Sequence, residues 1–462
     1  MGLHTTLESA LLPSFLCPLN SPYREISIFL FLSSSHPKVG MILKAFRAVG
    51  AVAVLVAPSL IAQTPAAASP PAPLTLQQAE ARALAVNPSL LSAQQHVSAV
   101  EANKITAGLR QNPNLTLYGQ GVTLPEIPPP NGNPFFYSAN VSRLFERGQK
   151  RRWRLESATA TADSTQSAYH DQQRQLVLAV RQAFTNMLLA KDSLAVAQEN
   201  LADYQKTVDL SRARLDAGDI TRTDFERIDL QQAQFEADAD SAELGLQQAS
   251  AQLQLLFGVD HPTNTLDIVG SLTPPTIPLT LPEAENQALA TRPDYLSARQ
   301  ALTAAEANAR LAIAGGTTDP TLSTEYDRNG IDNSFGVSLA IPLRIFDRNQ
   351  GEKARTHYEV ESSRLAVTAA RNQVVSDVDQ AWLALTTAQK MAKRYNSHYL
   401  EEAAHVRDNL QFSYRNGNST LLDYLSALRD YRAIRLSGLT ANAQVWLAIH
   451  QLSFATATDI VP

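Results

Sequence analysis

The stretch that decides the fold is Leu74–Asn103, "LTLQQAEARALAVNPSLLSAQQHVSAVEAN", because the chain contains it twice. Leu279–Asn308 reads "LTLPEAENQALATRPDYLSARQALTAAEAN", and Leu, Thr, Ala, Glu, Pro, Ser and Asn recur at a constant offset of 205 residues. A repeat of this kind makes the chain a tandem duplication, in which each half is one structural unit. Later landmarks recur as well: "LFERGQ" from Leu144 is answered by "IFDRNQ" from Ile345, and "AGDITRTDF" from Ala217 by "NGNSTLLDY" from Asn416. Between the halves, Gly258–Pro278 is rich in prolines and turn residues and reads as a linker. We therefore expect repeats over residues 74–257 and 279–456, a linker over 258–278, and a short tail over 457–462.

Each half carries the same order of elements. A short helix near Thr75–Val86 ends before an Asn-Pro or Arg-Pro pair, and a second runs over Ser89–Leu109, or Asp294–Ala314 in the second half. Two strand segments follow. They are "NLTLYGQGV" and "FFYSANVSRLF" in the first half, separated by "TLPEIPPPNGNP", and "PTLSTEYD" and "SFGVSLAIPLRIF" in the second, around Asn329-Gly330. Phe335, Val337, Leu339 and Ile341 alternate with Gly336, Ser338 and Ala340, the period-2 pattern of a strand with unlike faces. Tilted strands of about 9 to 11 residues are long enough to cross a bilayer.

After the strands the period becomes seven. Val180, Met187, Leu194, Leu201, Val208 and Leu215 are spaced by seven, and Phe225, Ile228, Gln232, Phe235, Ala239, Ala242, Leu246, Ala249, Leu253 and Leu256 keep a 3-4 rhythm. Tyr424, Ala427, Tyr431, Ile434, Gly438, Ala441, Val445, Ala448 and Leu452 repeat it in the second half. Such seams belong to left-handed coiled coils. No proline lies between Pro134 and Pro262, so a rod from Gly148 to Leu215 is about 100 Å long at 1.5 Å per residue. The break after it, "ARLDAGDITRTDFERIDL" at Ala213–Leu230, reads as a hairpin turn. Gly218 takes a positive φ, and Thr221 or Thr223 caps the returning helix; Gly417 with Ser419 or Thr420 does the same in the second half.

Composition excludes several functions. The 462 residues carry a net charge of −5, with no basic surface of the size nucleic acid requires, and aromatic residues make up only 7%, as suits long rods. The single cysteine, Cys17, rules out a disulfide framework and a cysteine metal site. From Met41 the chain reads "MILKAFRAVGAVAVLVAPSLIAQTPAAASPPAP", with Lys44 and Arg47 before an apolar run, then small residues and a Pro/Ala-rich spacer. This is the layout of a secretory signal peptide. We expect residues 1–62 to be extension and signal, with Met41 the true start, residues 63–73 to be spacer, and the exported protein to be unlipidated.

Two physical constraints bear on the strands. Four strands cannot close a membrane barrel, since single-chain barrels start at about 8 strands, and an open sheet edge in lipid leaves backbone groups unsatisfied. A chain that puts these strands into a membrane has to oligomerise.

The signal peptide, the tandem repeat, the paired strands, the "PLRIFDRNQGEKAR" passage from strand to rod and the paired G-x-x-x-x-x-D turns resemble the outer-membrane efflux protein (TolC-like) family over roughly Leu74–Phe454. "IFDRNQGEKAR" is most similar to the channels of heavy-metal, cobalt-zinc-cadmium type systems. The resemblance implies a mainly α chain with a β-barrel segment. It implies a homotrimer in which four strands per subunit form one 12-stranded transmembrane β-barrel, continued by a periplasmic α-helical barrel. It also implies contact with outer-membrane lipid, a periplasmic adaptor (membrane fusion) protein and an inner-membrane pump of the resistance-nodulation-division type, passive conduction of metal cations or small organic compounds, and no cofactor. The tips at Gly218, Asp219, Thr221, Gly417, Asn418 and Thr420 then face the adaptor. Asp423 matches the first acidic gate position of some members, while the second corresponds to Ser426; Asp224 and Arg227 are candidates for tying neighbouring hairpins together. The alternatives are the duct of a protein secretion system and a periplasmic coiled-coil scaffold without a pore.

No enzyme motif accompanies this pattern: G-x-x-x-x-G-K-[ST], G-x-S-x-G and H-E-x-x-H are all missing. His398, Glu401, Glu402 and His405 share a helix face, but the histidines lie about 10 Å apart along the axis. We read them as a solvated face. We read the basic run "RGQKRRWR", Arg147–Arg154, as the solvated start of a rod, with lipid or channel contact as the functional alternative and Trp153 as a candidate interfacial anchor.

Overall fold

Thr75 and Thr280 open the two halves of the computed structural model with the same device. The Thr75 amide donates to the Gln78 side chain at 3.1 Å, and the Thr280 amide donates to Glu283 at 3.0 Å, the reciprocal capping box that fixes a helix start. The structure describes residues 73–121, 135–262 and 266–461, all within one compact unit. The signal segment, Cys17, nearly all of the spacer and the loop between the first two strands lie outside the described residues.

Helices α1 (Leu76–Val86) and α2 (Pro88–Gly108) lead into strands β1 (Asn114–Gln120) and β2 (Phe136–Leu144), then α3 (Lys150–Asp216) and α4 (Arg222–Leu256). The order repeats as α5 (Leu281–Thr291), α6 (Pro293–Gly315), β3 (Thr321–Asn329), β4 (Asp332–Ala340), α7 (Gln350–Arg394), α8 (Leu400–Arg415) and α9 (Leu421–Thr456). A five-residue π-turn, Tyr395–Tyr399, separates α7 from α8.

The seams are partly filled within the single chain, with positions such as Leu194, Leu201, Leu246 and Ile434 half-buried. Val180, Met187, Val208, Ile228, Phe235 and Leu253 are buried around α3 and α4, as are Ala441, Val445, Ala448 and Leu452 in α9. Two of the apolar clusters repeat each other: α1 contributes Ala79 and Ala83 to one, and α5 contributes Ala284 and Ala288 to the other. A third cluster, Tyr204, Val208, Ile228 and Phe235, lies towards the α3–α4 turn.

The π-turn departs from the uniform helix expected of the second rod. Buried Val378, Leu385 and Ala392 keep the seven-residue step before it, whereas half-buried Leu400 and Arg407 and buried Tyr414 keep the same step after it, shifted by one residue. A π-turn accommodates one extra residue without unwinding the helix, so the seam stays on one side of the rod.

The four strands form one antiparallel sheet in the order β1-β2-β3-β4, and the β2–β3 pair joins the two halves, with Leu144 opposite Thr321. All residues of β1 and β4 are exposed, and among the described residues the outer edges of both lack a partner. The alternation expected of the fourth strand is present, but β4 stops at Ala340, so Ile341–Phe346 lies outside it. Its partner β3 begins at Thr321, opposite Ala340, and Pro342 has no N–H to donate.

The basic run is solvated at Arg147, Arg151 and Arg152, as expected, but departs from that reading at Lys150 and Arg154. Lys150 is buried; its ammonium lies 2.6 Å from Asp319 and donates to the Thr317 carbonyl at 2.8 Å. Arg154 pairs with Glu146 at 2.7 Å and also reaches the Ala107 carbonyl, and the guanidiniums of Arg152 and Arg310 flank the Trp153 ring. These cations brace the junction between sheet and rod. The cause is the β2–β3 pairing, which brings residues 314–320 of the second half beside residues 145–150 of the first.

Candidate functional site: the two hairpin tips

The two tips are built alike because each ends a long helix with a glycine and starts the next with a threonine. Gly218 has φ +84° and Gly417 has φ +74°, and nothing stands within 4 Å of a Cβ at either, so the backbone angle alone selects glycine. The Asp219 amide donates to the Arg214 carbonyl at 2.8 Å and the Gly218 amide to Leu215 at 3.0 Å. Asn418 and Gly417 make the corresponding bonds to Ser413 and Tyr414 at 2.8 and 3.1 Å. These paired bonds are the Schellman closure of a helix C-terminus.

Of the alternative capping residues, the structure selects Thr221 and Thr420. Thr221 Oγ1 accepts from the Asp224 amide at 3.1 Å and donates to the Asp224 carboxylate at 2.8 Å. Thr420 Oγ1 accepts from the Asp423 amide at 3.2 Å and donates to its carboxylate at 2.6 Å. Each aspartate sits in the first turn of its helix, where backbone N–H groups favour negative charge. Asp423 is exposed, Asp224 half-exposed, and Arg227 exposed with no ion-pair partner among the described residues. Ser419 donates weakly to the Leu410 carbonyl.

Sequence reasoning missed the groups that fasten one hairpin to the other. Thr207 of α3 lies 3.3 Å from the Tyr424 hydroxyl of α9, and Tyr424 stacks on Tyr414 with ring centroids 5.6 Å apart. Arg432 of α9 pairs with Asp238 of α4 and lies over the Phe235 ring, while Arg435 reaches Glu199 of α3 at 2.7 Å. Ser426 borders a cleft of about 600 Å³ between α4 and α9. The partly buried Arg432 stands in the α9 seam region, where an apolar residue is the usual occupant; that was the available signal.

The His398 group divides into two exposed pairs, His398–Glu402 at 3.3 Å and His405–Glu401 at 3.8 Å. Among the described residues no group of three or more His, Cys, Asp or Glu side chains is arranged to hold a metal ion. Likewise, none of the described helices is long and apolar enough to cross a membrane.

Long helical hairpins ending in matched tips are thus joined to a four-stranded sheet whose two outer strands are exposed along their whole length. The chain belongs to the outer membrane efflux protein family, whose model matches residues 81–259 and 285–458. It is accordingly a passive outer-membrane efflux channel component of the TolC-like class, with its helices on the periplasmic side. The chain is 26% identical over 333 residues to the outer membrane efflux protein BepC of Brucella suis biovar 1 (strain 1330), covering 68% of this chain and 70% of that protein. It is 25% identical over 383 residues to the cobalt-zinc-cadmium resistance protein CzcC of Cupriavidus metallidurans, covering 81% of this chain and 88% of that protein. The fold superimposes on the crystal structure of CusC with a TM-score of 0.72 at 21% identity, over 82% of this chain and 91% of that one.

Proposed function

We propose that three copies of the chain close their four-stranded sheets into one 12-stranded barrel, and that the rods form a tunnel from this barrel to the tips. The observation that carries this reading is the sheet itself. Among the described residues both outer edges are unpaired and both faces of β1 and β4 are exposed, an arrangement that bilayer physics tolerates only once the edges are closed. Translation starts at Met41, and residues 41–62 serve as the export signal.

The tunnel receives its cargo from a periplasmic adaptor at the tips and an inner-membrane pump of the resistance-nodulation-division type. Metal cations are the favoured cargo over small organic compounds, because "IFDRNQGEKAR" and the similarity to CzcC point in the same direction. Three Asp423 carboxylates, one per copy, narrow the tip end and favour cations by like-charge crowding, with Ser426 in place of a second acidic ring.

Outer-membrane fractionation followed by unheated and heated electrophoresis tests the assembly. A heat-labile trimer in the outer-membrane fraction is the expected result; a periplasmic monomer overturns the reading. Deleting the gene and measuring tolerance to zinc, cobalt and cadmium beside a panel of organic dyes tests the cargo, with loss of metal tolerance expected.

A further inference from the structure

The register of the sheet sorts its side chains onto two unlike faces. Leu115, Val141, Thr324 and Val337 form one row across the four strands, and Leu117, Ala139, Tyr326 and Phe335 form another on the same face. The rows of the opposite face carry Thr116, Asn140, Glu325 and Gly336, and Asn114, Ser142, Ser323 and Ser338. Ser138 donates to Glu325 across that polar face at 2.8 Å. In a barrel wall of this kind the apolar face meets lipid and the polar face meets the lumen.

Arginine stands at both ends of the apolar face. Arg143 is paired with Leu322 near the rods and Arg328 with Tyr137 at the far end, about 20 Å away along the strand. That span suits an apolar band about 25 Å tall, with each long side chain reaching outward from it. The two ends differ in charge. Beside Arg143, the rod-side end carries Arg110 ahead of β1, Arg147 and Arg151 after β2, and Arg344 and Arg348 after β4. Arg344 is half-exposed and the others are exposed, and among the described residues none has an ion-pair partner. The acids at this level are committed elsewhere: Glu146 to Arg154, Asp319 to Lys150, Glu156 to Arg310, and Glu352 and Glu359 to Arg355. Among the described residues there, Asp347 is the acid left over. At the far end Asp327 and Asp332 accompany Arg328, and no such surplus arises.

We propose that this arginine rim binds the phosphates of anionic phospholipids in the periplasmic leaflet of the outer membrane. The guanidinium fork matches phosphate oxygens in pairs, and a row of such groups beside an apolar wall suits a molecule that is anionic at one end and apolar at the other. Arg143 already lies over the Phe145 ring at 5.3 Å, so its charge stands at the edge of the apolar face. The acyl chains of the same lipids lie along exposed Val141, Leu322 and Leu339. Cell-wall carboxylates would answer the charge but leave this apolar surface uncovered, which favours lipid. The inference rests on the sheet entering the membrane, as the ring proposed above requires, and adds the lipid that its inner rim selects.

Native mass spectrometry of the purified trimer in neutral detergent, with phosphatidylglycerol or phosphatidylcholine added, is the test. The unaltered protein should retain phosphatidylglycerol in preference. Arg110→Gln, Arg143→Gln and Arg147→Gln combined should weaken that binding by about fivefold for each arginine removed, with phosphatidylcholine binding unchanged. Arg328→Gln, at the far end of the same face, should keep the preference. Equal retention of the two lipids by the unaltered protein, or an undiminished preference in the triple variant, overturns the rim and leaves the ring standing. So does a loss in Arg328→Gln as large as in the triple variant. If the triple variant keeps its lipid preference but no longer sediments with purified peptidoglycan as the unaltered protein does, the rim belongs to the cell wall and the inference falls. Failure to recover any trimer from the outer membrane overturns the ring, and the rim with it.

Discussion

Thr420 Oγ1 donates to the Asp423 carboxylate at 2.6 Å while accepting from the Asp423 amide at 3.2 Å, so the proposed gate residue is also the clasp of its own helix. These two roles separate by substitution. Asp423→Asn keeps a side-chain oxygen for Thr420 and removes the charge; Asp423→Ala removes both. In planar bilayers we expect both variants to lower cation selectivity. Only Asp423→Ala should also loosen the tip, by about 1 kcal/mol from the lost capping contacts, seen as faster amide exchange over Leu421–Leu425. Unchanged conductance and selectivity in both variants would falsify a gate at this position.

Lys150 and Asp319 offer a stability test at the other end of the rod. Their side chains are 10% and 19% exposed, so Lys150→Met leaves a largely enclosed carboxylate without its cation. The expected cost is about 3 kcal/mol, as for other enclosed pairs stripped of one partner. Lys150→Met combined with Asp319→Leu should recover part of it, and the midpoint of thermal loss of helical circular dichroism measures both.

His450 supplies a pH dependence. It is 4% exposed, its Nε2 lies 3.1 Å from Thr185 Oγ1, and burial, aided by the nearby Arg181, pushes its pKa down to about 4. The folded state therefore holds the neutral ring where the unfolded chain, at about 6.5, takes up a proton. Stability is full above about pH 6.5, declines by up to about 3 kcal/mol as pH falls towards 4, and is flat with respect to this group below that. His450→Gln should remove this part of the decline in a thermal series between pH 7 and 4.

The π-turn predicts an unusual tolerance to deletion. Removing Ser397 should restore an unbroken α-helix without disturbing the seam on either side, because the turn holds one residue more than the seven-residue step requires. Removing Ala388 instead rotates everything beyond it by about 100° and takes Tyr414 off the seam. Amide exchange over Tyr414–Tyr424 should stay near that of the unaltered protein in the first variant and rise strongly in the second.

Much of this architecture was legible because it is periodic. The seven-residue spacing from Val180 to Leu215, the 3-4 rhythm from Phe225 to Leu256 and the alternation around Phe335 translate directly into faces, and the structure buries or half-buries each of those seam positions. The turns were legible because few residues besides glycine adopt their φ. What stayed hidden depends on neighbours distant in sequence. Asp319 meets Lys150 only because β2 and β3 pair, and Thr207 meets Tyr424 only because the hairpins lie together. The choice between Thr221 and Thr223 depended on where the helix starts, by two residues, a difference composition does not encode. The shift between Ala392 and Leu400 was written in the chain, but a one-residue slip looks like noise until the π-turn explains it.

That turn also has a consequence for symmetry. Because each chain is two like halves, a ring of three chains has exact three-fold symmetry and, near the sheet, close to six-fold symmetry by repeat. Along α3 nothing corresponds to Tyr395–Tyr399. From that level to the tips, alternate rods around the ring are no longer equivalent, so the six-fold likeness decays into a true three-fold within the length of a single helix.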